Sequence, residues 1–174
     1  QTIKSMKRKS CLTILLLTSS ILAFSQNTNL GVNAGNAGSQ NTSIGYEAGN
    51  VTTGCCGTFV GHQAGKSVTS GTYNSFVGAY AGYTTAAGSE NSFFGYATGF
   101  SNNNNGRGNS FVGAWSGLFN TSGSHNSFVG AYSGYSNNTG SYNAFIGYQS
   151  GYQNTSGFNN SFIVYYSCYS NQTG

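Results

Sequence analysis

The chain has 174 residues, of which 5% are charged and 15% aromatic, with 27 glycines and no proline. Two acidic residues and two histidines leave little that can titrate, which argues against an enzyme, because acid, base and nucleophile chemistry needs groups of tunable charge. The formal charge of +4 would suggest nucleic acid or an anionic membrane as partner, but Lys4, Lys7, Arg8 and Lys9 all lie near the N-terminus.

Met6 opens a second, more informative start: basic Lys7, Arg8 and Lys9, then an apolar stretch from Leu12 to Phe24, then Ala23-Phe24-Ser25 before Gln26. That layout predicts a secretory signal peptide cleaved near Ser25/Gln26, too short and wrongly flanked for a membrane span. Residues 1–25 are therefore set aside as upstream residues plus signal. Residues 26–174 keep Lys66 and Arg107 against Glu47 and Glu90, a net charge of zero. The chain is expected to be exported to the cell surface, outer membrane or extracellular space, and to be the front part of a longer protein.

The rest of the sequence repeats. With the Asn of Asn-Ser-Phe-Val-Gly as position one, units start at Asn41, Gly57, Asn74, Asn91, Asn109, Asn126, Asn143 and Asn160, with spacings of 16, 17, 17, 18, 17, 17 and 17. A shorter unit from Asn27 precedes Asn41 by 14. Such units are too short for helical hairpins or propeller blades, and a unit that cannot bury its apolar face alone can do so by stacking. The predicted fold is all-β: a parallel β-solenoid, or β-roll, of about nine 14–18-residue coils. Each coil is expected to hold two short strands and two turns, with rungs about 4.8 Å apart and a rod roughly 40 Å long.

Within each unit, positions two and four share one strand face and position three the other. Position four is apolar throughout (Ile44, Val60, Val77, Phe94, Val112, Val129, Ile146, Ile163) and position eight is small, so these are the expected solenoid core. Position three then points outward, yet it carries Phe59, Phe76, Phe93, Phe111, Phe128, Phe145 and Phe162. A stripe of that size exceeds what a soluble monomer usually exposes, so this ladder is expected to be an oligomer interface. A wider coil with Phe inside, or an exposed adhesive stripe, are the alternatives. Large residues recur at position ten: Tyr83, Phe100, Leu118, Tyr135, Tyr152 and Tyr169.

The pentads Asn41–Gly45, Asn74–Gly78, Asn91–Gly95, Asn109–Gly113, Asn126–Gly130 and Asn143–Gly147, followed by x-x-Ala/Ser-Gly, resemble the head repeat of trimeric autotransporter adhesins of the YadA type. They are also similar to Asn/Gly-rich repeats of bacterial surface proteins and phage-like tail fibres. The resemblance spans roughly residues 27–174 and implies a left-handed parallel β-roll, a homotrimer, and a stalk or adhesive head. The units here are longer than that family's repeat, and Phe replaces a small residue of the pentad.

No catalytic residue, cofactor or metal site is expected. Glu47 and Glu90 form no designed pair, and His62 and His125 stand about four coils apart. In GHQAGKS (61–67) only three residues separate Gly61 from Gly65, one short of a phosphate-binding loop. The asparagine sequons (Asn41, Asn50, Asn120, Asn137, Asn154) read as turn residues. Cys55 and Cys56 lie about 30 Å from Cys168 by rung count, beyond disulfide reach. The expected function is an exported structural or adhesive repeat protein working by multivalent contact with a host or environmental glycan or protein surface, without nucleic acid, and touching a membrane only through a downstream anchor. A soluble ice- or surface-binding solenoid and a phage-like tail-fibre segment are the alternatives.

Overall fold

The run Ser/Thr-Phe-Val/Ile is β-prone, and its flanking Asn and Gly stop it after three residues. The computed structural model describes residues 27–35, 38–102, 105–170 and 172–173; the predicted signal peptide lies outside the described residues. Among the described residues there are nine strands: β1 (Thr28–Leu30), β2 (Thr42–Ile44), β3 (Thr58–Val60), β4 (Ser75–Val77), β5 (Ser92–Phe94), β6 (Ser110–Val112), β7 (Ser127–Val129), β8 (Ala144–Ile146) and β9 (Ser161–Ile163). They form one parallel sheet in the order β1 to β9. Matching positions lie in register, so Phe59, Phe76, Phe93, Phe111, Phe128, Phe145 and Phe162 pair in succession. The chain is a parallel β-solenoid with one pentad per rung.

Each coil holds one strand rather than the expected two. The remainder is a run of turns, and rung-to-rung hydrogen bonds continue through it. The Gly117 N–H donates to the Ser133 carbonyl and the Gly134 N–H to the Ser150 carbonyl, both at 2.9 Å. Two glycine columns make those turns possible. Position five, from Gly31 to Gly147, has φ between +126° and +139°, which side chains rarely adopt. At position nine a Cβ on Gly117 would lie 2.4 Å from the Phe111 ring.

That close approach reverses the expected core. Phe59, Phe76, Phe93, Phe111, Phe128 and Phe145 are at most 1% exposed, and Phe162 is partly buried against them. The Phe ladder is the interior and not an oligomer interface. The column expected inside faces outward: Ile44, Phe94, Val112, Val129 and Ile146 are 37–43% exposed, Ile163 is 60% exposed, and Val60 and Val77 are half-buried. The coil is wide because the glycine at position nine has no side chain, and a phenyl ring fills the space it leaves. From Phe76 to Phe162 the rings stack with centroids 4.7–4.9 Å apart and planes within 7°. Each such pair adds about 0.5–1.5 kcal/mol beyond area burial. Position eight is inside as expected, with Ala48, Ala64, Ala81, Thr98, Ser116, Ser133 and Ser150 fully buried.

Position one supplies the other internal column. Asn41, Asn74, Asn91, Asn109, Asn126 and Asn143 are 0–2% exposed. Each side-chain oxygen accepts from a backbone N–H of the next rung, as Asn109 does from Asn126 at 3.0 Å. Each side-chain NH2 donates to the closing glycine of its own coil: Gly54, Gly88, Gly106, Gly123, Gly140 or Gly157. That glycine lies 13 residues on in the 16-residue coil, 14 in the 17-residue coils and 15 in the 18-residue coil. Length variation is therefore confined to one turn, and the same clamp closes it. A second buried stack, Asn102, Asn120, Asn137 and Asn154, is joined amide to amide at 2.6–3.2 Å.

Candidate binding surface

Position seven of every full coil is held at φ between +50° and +59°. Glycine or asparagine would satisfy that left-handed backbone most easily. The column nevertheless carries Tyr80, Trp115, Tyr132 and Tyr166, four large aromatics. Such residues persist in that conformation only where the surroundings over-determine it. Here the rung-to-rung bonds do so: the Trp115 N–H donates to the Tyr96 carbonyl and the Tyr132 N–H to the Ala114 carbonyl, each at 2.9 Å.

The result is an aromatic strip along the length of the solenoid. One line runs Tyr46, His62, Tyr80, Tyr96, Trp115, Tyr132, Tyr148, Tyr165, with successive centroids 4.8–6.0 Å apart. A second line at position ten stacks Tyr83 on Phe100 and Tyr135 on Tyr152 on Tyr169, at 4.8–5.0 Å. The sequence showed only the second line, because the first alternates between positions six and seven and keeps no single column. Burial among its neighbours, with Tyr135 and Tyr169 adding, raises the Tyr152 phenol above its ordinary pKa, so that hydroxyl stays neutral.

The strip deepens at its centre. Position seven there is Ala97, 5% exposed, between Tyr80 one rung before and Trp115 one rung after. The missing ring leaves an open groove of about 520 Å³, walled by Tyr80, Tyr96, Trp115 and Tyr132 and continuing past Leu118. Ionised groups lie elsewhere. Lys66 pairs with Glu47 at 2.8 Å and sits 5.7 Å from the Tyr83 ring centroid. Hydrogen bonds from Lys66 and then Gln63 hold the Glu47 carboxyl below its usual pKa.

The remaining chemistry-bearing residues do not converge. His62 stacks on Tyr46 and meets Tyr80 edge to face, and His125 stacks on Tyr142 at 5.1 Å. Among the described residues no group of three His, Cys, Asp or Glu could hold a metal ion. Gly61 and Gly65 of GHQAGKS are repeat glycines, and Lys66 is committed to Glu47. The Cys55 and Cys56 sulfurs are 2.7 Å apart, and the contact raises the Cys56 thiol pKa, which disfavours the reactive thiolate. Cys168 is exposed. Comparison with protein-family models, with curated proteins and with solved structures finds no match to this chain.

Proposed function

We propose that the chain is an exported structural and adhesive rod, the head or shaft of a surface adhesin or fibre, that acts by multivalent contact rather than by chemistry. The observation that carries this reading is the aromatic strip, which presents rings on successive rungs of a laddered scaffold. Contacts weak in isolation add steeply when a rigid support displays many of them. A homotrimer belongs to the same reading, with its interface moved from the Phe ladder to the outward strand face. Val112, Val129 and Ile146 form part of a continuous apolar column there, larger than the isolated apolar residues of an ordinary surface.

Microspheres coated with the full chain at graded density, washed over glycan- and protein-coated glass, test the adhesive reading. Retention should rise more steeply than density; no retention at any density overturns it. Sedimentation equilibrium tests the trimer: the parent should sediment as three chains and the Val112→Lys/Val129→Lys variant as one. A monomeric parent removes the trimer. An ice-binding solenoid would have to use the strand face, whose hydroxyl column (Thr42, Thr58, Ser75, Ser92, Ser110, Ser127) is interrupted at Ala144 and flanked by Val/Ile rather than by a second hydroxyl column.

A further inference from the structure

The central groove has the features of a ligand site. Its volume of about 520 Å³ lies in the ordinary range for small-ligand sites, and its walls are aromatic side chains with a few polar tips. It is open along its length, so it suits a chain lying in it better than an enclosed small molecule. From Tyr80 to Tyr132 it spans four rungs, and the rungs are spaced about 4.8 Å apart, close to the length of one sugar ring in an extended β-linked polymer.

We infer that this groove binds a linear, uncharged, β-linked polysaccharide, whose rings lie along the Tyr80–Tyr132 strip with a C–H face against Tyr96, which is 47% exposed, and their rims against the edges of Tyr80, Trp115 and Tyr132. The inference rests on the adhesive reading above and names its ligand class. Three features favour a glycan over a peptide. A peptide adding to the groove would need free backbone groups to pair with, but its lining N–H groups are already paired: Ala97 N–H to the Ala79 carbonyl and Ser101 N–H to the Leu118 carbonyl, each at 2.9 Å. No ionised side chain lines the groove, so a charged ligand finds no counter-charge. The walls combine apolar aromatic carbon with phenol hydroxyls, matching a sugar's C–H face and hydroxyl rim. Ring orientation adds a fourth. Tyr96 stands across Tyr80 at 86° and across Trp115 at 79°, whereas Trp115 and Tyr132 stack on each other within 20° at 4.8 Å and cover each other's faces, so Tyr96 is the wall ring turned differently from its neighbours.

Trp115 is the chain's one tryptophan, so its emission reports directly on the groove. Titrating the full chain with cellohexaose should shift that emission saturably. Native gels cast with hydroxyethyl cellulose should retard the parent. Trp115→Asn removes one wall of the groove at a backbone position that asparagine adopts readily, so the variant should fold and lose the retardation. Ala97→Tyr restores the missing ring, should close the groove and should weaken cellohexaose binding about tenfold. Unchanged Trp115 emission with cellohexaose, or equal retardation of parent and both variants, overturns the inference. If microsphere retention persists while glucan binding is absent, the polysaccharide is wrong and the adhesive rod stands. If both are absent, both readings fall.

Discussion

Val164 stands where the preceding units place glycine, and it keeps a positive φ of 108°. A β-branched residue in that region is strained by about 1–3 kcal/mol. Replacing Val164 with glycine should relieve the strain and, after glycine's own entropic cost, stabilise the last coil by about 1 kcal/mol. Amide hydrogen exchange at Tyr165 and Tyr166 should slow by the corresponding factor; unchanged exchange would mean that the strain is not felt there. The same single-residue logic explains the aromatic strip. Position seven accepts any residue that tolerates a left-handed backbone, and Tyr80, Trp115, Tyr132 and Tyr166 occupy it at some cost in stability.

Each rung is closed by its asparagine, and that closure makes the repeat an element. Asn109 accepts from the Asn126 N–H, and its NH2 donates to the Gly123 carbonyl at 2.9 Å and to the Asn91 side-chain oxygen at 3.1 Å. An aspartate at this buried site keeps the acceptor but turns a carboxylate toward two oxygens. Its folded pKa must therefore rise above the unfolded value of about 3.9. A raised folded pKa leaves the variant most stable below the unfolded value, with stability lost as pH rises toward the folded value. Urea midpoints of Asn109→Asp should thus fall from acid to neutral pH while the parent shows no matching trend. A midpoint that instead improves toward neutral pH would contradict the clamp.

For the molecule as a whole, every rung touches only the rungs beside it, so stability is a sum of unit and neighbour terms. The Phe stack runs through the array and couples its halves. Phe111→Ala, at the centre, should cost about 3–5 kcal/mol and interrupt that coupling. Calorimetry should then show a lowered, divided transition in place of a single one. A single transition merely shifted downward would mean that the Asn clamps and backbone ladder alone carry cooperativity. The net charge of zero over residues 26–174 goes with a solenoid whose surface rows are aromatic rather than ionic.

The period, the one-pentad-per-rung stacking, the small buried position eight and the glycine turns were all legible in the chain, because stacking identical units makes each column repeat its own physical requirement. Strand alternation also placed positions three and four on opposite faces. Which face is inside was not decided by alternation. It depends on the width of the coil, and that width is set where the Phe111 ring meets Gly117, six residues later and across the interior. The clue was the glycine at position nine, read as a turn residue when it is also the gap a phenyl ring fills. The aromatic strip and the Ala97 groove were hidden for a related reason. Tyr80 and Tyr96 occupy different positions in their units, and only the folded turn brings their rings onto one line.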